Sequence, residues 1–457
     1  MATPNSKTRP DGSRDSPMKQ VLAKADAERA MGNVFAAARG RLPGAGPVPQ
    51  IRARAFELYE RTGLPHRRME DWKYTDLRAL IGEVLPLAPR PDAEALVRAK
   101  VSAKQVAADQ AVKLVLVDGI FAPELSDFGG LENEVVVRSL REVLENSATA
   151  AMAGLVLSTT SDPAISLNAA MATDGLVITV ADGNAVNRPI QIVHVATGLS
   201  VSTFTRSYLQ LGKGAHAAIV ESFVPAEGAS GYQANDAIIA LVGDEASLSH
   251  IRVAADASDA VNISSAIIAV GAKAKLDLFS MTCSGSISRY QGFITLAGEG
   301  TKLSANGVNL IRDKLHADTT IVVDHAVPHC TSREKFRAVV DDCGRSVFQG
   351  RIVVRPAARK TDATLTTRAL LLSDQAEADN KPELEILADD VTCGHGATSG
   401  ALDDTLVFYL RARGLPEKDA QMLLIKAFLG ESIEEITSEN LRDFVAAQAE
   451  HWLQAGR

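Results

Sequence analysis

The stretch LVITVADG, Leu176–Gly183, sets the reading of the whole chain. An aliphatic and β-branched run closes on an Asp-Gly turn, a second apolar run follows, and the same cadence then returns. SYLQL from Ser207, AIIALV from Ala237, SAIIAV from Ser265, GFITLA from Gly292 and TTIVV from Thr319 end in turn at Gly212, Gly243, Gly271, Gly298 and Asp324. Counted from Gly183, successive turns lie 26–31 residues apart. Two further strand-like runs follow, FQGRIVV from Phe348 and ATLTTRALLL from Ala363. A fixed period of this size marks a stacked repeat, in which each unit buries its apolar face only against its neighbours. A β-sandwich of ordinary hairpins would also give short strands punctuated by glycine. The regular spacing favours a β-solenoid, a right-handed parallel β-helix over residues 176–390.

Outward from this core the composition changes. Residues 1–17 are polar, with almost nothing to bury, and read as a disordered tail. Residues 18–110 form an N-terminal helical region, with helical spacing over Met18–Arg39 and Gln50–Arg61. It includes the charged but aromatic-bearing stretch PHRRMEDWKYTDLRAL, Pro65–Leu80, where Trp72 and Tyr74 anchor a polar loop. Residues 111–175 are a mixed connection: KLVLVDGIF is a strand with an Asp-Gly turn, and LENEVVVRSLREVLEN a strand running into a helix. Residues 391–457 form a C-terminal helical domain, with helices over Asp403–Arg413, Glu417–Leu429 and Ser438–Leu453.

Composition narrows the function. The chain has 457 residues and a net charge of −8, which argues against a nucleic-acid footprint. No apolar run is long enough for a membrane helix, and the N-terminus lacks the apolar core of a secretion signal. The four cysteines, Cys283, Cys330, Cys343 and Cys393, form no CxxC pair and read as reduced thiols of a cytoplasmic protein.

Signatures of catalysis are scarce. There is no Walker A loop, no GxSxG elbow and no HExxH pair. The run Gly212-Lys213-Gly214-Ala215-His216-Ala217 fits a dinucleotide fingerprint, but AIVESF after it reads as a strand, so no helix dipole faces a pyrophosphate. Two clusters carry possible metal chemistry. Leu315–Ser332 holds His316, Asp318, Asp324, His325, His329 and Cys330, with a spacing that matches no known cage. Ala388–Gly400 holds Cys393 and His395, which on an extended segment face the same side. Its plainer reading is a buried inert thiol beside a capping histidine in an exposed loop.

PHRRMEDWKYTDL, HCTS followed by FQGRIVV, and NKPELEILADDVTCGHGATSG followed by LVFYLRARGL together resemble the SufB/SufD family of iron–sulfur cluster assembly proteins. The resemblance runs from about Pro65 to Phe428. It implies a β-helix between helical regions, and a non-catalytic scaffold subunit of a complex with a SufB-like paralogue and a SufC-like ABC ATPase. SufB-like chains carry a cysteine ligand near the position that here falls close to Thr367, and this run has no thiol, so the chain is more similar to the SufD branch. The resemblance implies that His395 is a ligand of a nascent iron–sulfur cluster at the heterodimer interface, with Cys393 the weaker candidate. No cofactor is expected to be tightly bound by this chain alone. Tyr409 and Phe428 are expected partner anchors on the C-terminal helices, since aromatics concentrate at interface hot spots. Two other readings stay open: a β-helix carbohydrate-active enzyme, disfavoured by an aromatic content of 5%, and a SufB-like scaffold acting as a homodimer.

Overall fold

The computed structural model describes residues 29–106, 108–129, 131, 135–146 and 152–455. The expected tail at 1–17 and the first part of the helix expected over 18–39 lie outside the described residues. The N-terminal region supplies α1 (29–38), α2 (Val48–Thr62), α3 (Leu77–Leu80) and α4 (Ala93–Gln105). Then come β1 (Val112–Val117) and β2 (Ile120–Phe121), joined by Asp118 and Gly119. Both turn residues have positive φ, 46° and 78°, as a two-residue hairpin turn requires. β3 (Val135–Ser139) runs into α5 (Leu140–Glu145), and α6 (Ala153–Val156) and α7 (Pro163–Met171) complete the connection.

The repeat resolves into two parallel sheets facing each other. One contains β4 (Leu176–Val180), β6 (Ser202–Leu211), β8 (Gln233–Val242), β10 (Val261–Val270), β12 (Ile287–Leu296), β14 (His316–His325), β16 (Arg345–Val354) and β18 (Glu377–Ile386). The other contains β5 (Ile190–Ala196), β7 (His216–Pro225), β9 (Ser247–Ala255), β11 (Lys275–Ser284), β13 (Lys302–Ile311), β15 (Thr331–Val340), β17 (Asp362–Leu371) and β19 (Thr392–Gly400). Strands alternate between the sheets, so each of about eight turns gives one strand to each. This is a parallel β-helix, and the six turn-spaced runs are successive strands of one sheet. A sandwich of hairpins is excluded, because every pairing among β4–β19 is parallel.

Register explains the core. Leu209, Ala240, Ile268, Ile294, Val323, Ile352 and Leu384 occupy one column along the axis, a rung apart. In-register parallel strands stand about 4.8 Å apart, so these side chains stack directly. They belong to an interior apolar cluster that runs from Leu114 to Leu365, with Leu384 packed at its rim. The turn glycines that set the period sit where adjacent rungs come closest. A Cβ on Gly298 would lie 1.9 Å from the backbone nitrogen of Ala272, and one on Gly243 would lie 2.8 Å from backbone atoms of Gly212. Each corner on this side also holds one left-handed residue, in order Gly183, Gly214, Glu245, Lys273, Gly300, His329, Lys360 and Asp390. The N–H groups of the first seven donate to the corner of the next rung, as in Glu245 to Ala272 O (2.7 Å) and Lys273 to Glu299 O (2.9 Å). That inter-rung bond offsets the cost of a side chain in the left-handed region.

Part of the interior is polar instead. His194, Glu221, Asp236, His250, Arg252, Asp256, Asn262 and Ser264 are buried or nearly so. Glu221 accepts from or pairs with His250 Nε2 (2.7 Å) and His194 Nε2 (3.3 Å). Burial alone would raise its carboxyl, yet the two histidines hold it far below the usual carboxylate range.

The outer faces are covered by helices. Ile251, Val253, Phe279, Met281, Val308, Leu310 and Val339 pack against Ile425, Leu429 and Ile433 of α9 (Glu417–Ile433) and Leu441, Val445 and Trp452 of α10 (Glu439–Ala455). Ahead of them stands α8 (Asp404–Arg411). The C-terminal helices are thus bound to the solenoid wall, and the boundary drawn at residue 390 falls one strand early, since β19 is the last strand of the sheet. On the opposite face, the EDWKYT stretch is a strap. Trp72 lies under the Arg289 guanidinium at 3.9 Å and donates to Asp162 Oδ2 (2.8 Å), while Arg289 Nη2 and Gln349 Nε2 donate to Asp71 O.

Candidate functional site at the open end of the solenoid

The two ends of the solenoid differ. At the first rung the sheets finish in short antiparallel strands, β2 and β3, and Phe121, Leu131 and Val137 pack against the interior cluster. At the last rung they finish in two long strands, β18 and β19, each paired on one side only. Leu384, Ala388, Val391 and Cys393 are only partly buried against the interior cluster there, and Ile386 and Leu387 are exposed.

The two edges carry different chemistry. β18 reads EADNKPELEI: five charged side chains and Pro382, which has no N–H, discourage strand addition. β19 reads TCGHGATSG, with no acid, lysine, arginine or proline. Its backbone is an open edge suited to β-augmentation. The strap reaches this end as well, because Glu70 pairs with Lys381 on β18 and Asp71 pairs with Arg351 on β16 (3.3 Å). Asn380 Nδ2 donates to Ser399 Oγ (3.0 Å) and Thr367 Oγ1 to Asn380 Oδ1 (2.8 Å), tying the last strands of the two sheets.

His395 lies on β19 in register with Leu365, not in a loop, and its side chain is exposed. The flanking Gly394 and Gly396 disguise the strand, which takes its conformation from pairing with β17. Cys393 is two residues earlier, opposite Ala363, and partly buried. Burial, with Asp362 nearby, pushes its thiol up, so at neutral pH it is protonated and a poorer ligand than a thiolate. Thr367 is buried on β17, opposite Ala397.

The other sequence candidates are dispersed. His316 and His325 stand at opposite ends of ten-residue β14, about 30 Å apart. His316 meets Thr75 (2.9 Å), Asp318 pairs with Arg289, Asp324 with Arg355, and His325 Nε2 lies 3.0 Å from Ser332 Oγ. Cys330 is buried and donates to Gly298 O (3.3 Å). Among the described residues, no group of three or more His, Cys, Asp or Glu is arranged to hold a metal ion. All four cysteines are free thiols. The Gly212–Ala217 run is a solenoid corner leading into β7, without a helix. No described helix is long and apolar enough to cross a membrane.

On the C-terminal helices, Tyr409 is 52% exposed, beneath the Arg413 guanidinium at 4.3 Å. Leu406, Phe408, Leu415 and Leu423 in the same region are exposed as well. Phe428 is placed differently, packed against the cluster under α9 with Arg337 over its ring at 5.6 Å. Helical spacing marked both residues as apolar but could not separate the inward face from the outward one. Phe408, 71% exposed, is the aromatic that this reading missed.

The family comparisons agree with this architecture. Residues 194–428 match the family model described as the SUF system FeS cluster assembly SufBD core domain, and residues 43–192 match the SufBD protein N-terminal region. The iron–sulfur cluster assembly protein SufD of Escherichia coli is 33% identical over 89% of this chain and 93% of its own length. The chain belongs to the SufB/SufD family. Within it the relatives indicate the SufD branch: SufD of Bacillus subtilis is 26% identical over 60% of the chain and 63% of its own length. An iron–sulfur cluster assembly SufBD family protein of Synechocystis is 29% identical over 86% and 88%. Membership in this family carries a role in iron–sulfur cluster assembly.

Proposed function

We propose that this chain is a non-catalytic scaffold subunit that joins a SufB-like paralogue through the open edge of β19 and docks a SufC-like ABC ATPase on α8 and the start of α9. The observation that carries the reading is the uncapped last rung, with His395 on a strand that has no acid, lysine or arginine and whose outer edge is unpaired. A solenoid end left without a polar cap needs a partner to cover it. A second solenoid edge laid along β19 would pair its backbone groups and enclose His395, which would then offer one ring nitrogen to a nascent cluster bound mainly by the paralogue. The cluster is cargo, formed across the interface and released from it. Its assembly belongs in the reducing cytoplasm, in keeping with four free thiols.

The ATPase reading rests on the exposure of Leu406, Phe408 and Tyr409 on α8. Exposed apolar residues of this size on one short helix are unusual unless something covers them. The test is co-expression with the paralogue and ATPase, followed by gel filtration and iron and sulfide analysis of the same fractions. An intact complex whose cluster content is unchanged by His395→Ala would sink the ligand role. A full-strength ATPase pull-down by a Phe408→Asp, Tyr409→Asp chain would move the docking site elsewhere.

A further inference from the structure

Far from the open end, a cleft of about 580 Å³ separates the N-terminal helices from the first turns of the solenoid. It is lined by Arg41, Arg90 and Arg141, with Asp118, Glu145 and Thr173 among its other walls. The three arginines come from three separate segments: the turn after α1, the chain ahead of α4, and the first turn of α5. Both acids are already engaged. The Asp118 carboxylate accepts from the Thr197 N–H (2.7 Å) and its hydroxyl, and Glu145 is held by Arg141 Nη1 at 3.0 Å.

The arginines retain donors. Arg41 uses Nη2 on Ala88 O (2.6 Å), and Arg141 uses Nη2 on Thr173 O (3.1 Å). Arg141 Nε is buried with no acceptor among the described residues. Arg90 is exposed and makes no hydrogen bond or ion pair among the described residues. A buried guanidinium N–H without an acceptor is costly, and a ligand oxygen would relieve it.

The field behind the cleft has the same sign. Arg52 and Arg206 are almost wholly buried and meet no carboxylate among the described residues. Arg52 donates to Pro43 O, Ala169 O and Ala170 O, and Arg206 to Val156 O, Ser158 O and Asn168 Oδ1. Burial, with Arg141 close by, brings the Arg52 guanidinium down to about 9, still a cation at neutral pH. Two uncompensated interior cations thus reinforce three at the surface, and a concave wall concentrates that potential on whatever enters.

We infer that this cleft is a binding site for a small polyvalent oxyanion, a phosphate compound or a polycarboxylate. Planar guanidinium forks suit both, and the volume lies within the range of small-molecule sites. The ligand would tie the N-terminal helices to the first solenoid turns. Calorimetric titration of the full chain with inorganic phosphate, pyrophosphate and citrate tests this, and the strongest of the three names the source. One saturable site per chain is expected, weakening as salt is raised. Arg90→Gln removes no hydrogen bond or ion pair made among the described residues and should weaken binding about 10- to 100-fold, the usual loss for a charge-assisted hydrogen-bonding group. Arg359→Gln, on an exposed solenoid corner, should leave binding unchanged. No saturable heat with any of the three at millimolar concentration would overturn the inference. So would binding that Arg90→Gln and Arg41→Gln together leave intact.

Discussion

His395 contributes exposed surface and no side-chain packing, so His395→Ala should change the stability of the isolated chain by no more than about 0.5 kcal/mol, measured by urea unfolding. Cluster content of the assembled complex should fall, while Cys393→Ser, which removes a protonated thiol, should have the milder effect. A second residue reports on the interior. Glu334 is buried in the column between Ala305 and Leu365, where Ser332 Oγ donates to it at 3.2 Å and its Oε2 has no hydrogen-bond partner among the described residues. Burial pushes its carboxyl up to about 8, with Ser332 pulling it back only in part. Its neighbour across Ser332, His325, is brought down to about 4 by burial and stays neutral above that. The folded chain therefore holds a proton on Glu334 that the unfolded chain gives up near pH 4.5. While His325 contributes a smaller component of opposite sign between about 4 and 6.5, the Glu334 component of stability, on the order of a few kcal/mol, is lost as pH rises from about 4.5 to 8. Glu334→Gln should remove that component; equal slopes of stability against pH in the two chains would contradict it.

At the scale of single elements, the corner glycines are the sensitive points. A Cβ at Gly298 meets the backbone of the rung beneath, so Gly298→Ala should cost roughly 1–3 kcal/mol, with a matching drop in denaturation midpoint. The C-terminal helices divide by face. Removing 404–457 would expose Ile251, Phe279, Met281, Val308 and Leu310, and the truncated solenoid should aggregate. Changing Leu406 and Phe408 to serine should instead leave the fold intact and lower ATPase capture, read by gel filtration and pull-down. These elements also show what sequence can carry. The runs at Leu176, Ser207, Ala237, Ser265, Gly292 and Thr319 were legible because their inward column is aliphatic on every rung. Their partners on the other sheet were not counted, because Glu221, His250, Arg252 and Ser280 point inward and break the alternation. His395 read as a loop residue for a related reason: β19 has no apolar pattern, and only its pairing with β17 makes it a strand. The inter-rung contacts of the strap, through Trp72, Arg289 and Asp318, join residues more than two hundred positions apart and leave no local trace.

Across the whole molecule, the last rung is held from one side only, so amides of β18 and β19 should exchange with solvent faster than those of β8 to β14. Addition of the paralogue should slow β19 in particular. If the proposed pairing holds at the open end, the asymmetry of the two ends would also set a stoichiometry. A rod with two sticky ends grows head to tail without limit, whereas one whose first rung is finished by β2 and β3 has a single place to join. Two such rods meeting at their open ends use up both, and growth stops at a pair. On the proposed pairing, the short antiparallel strands at the start of the solenoid would act as a chain terminator, letting the fold keep an adhesive edge for assembly without becoming a fibre.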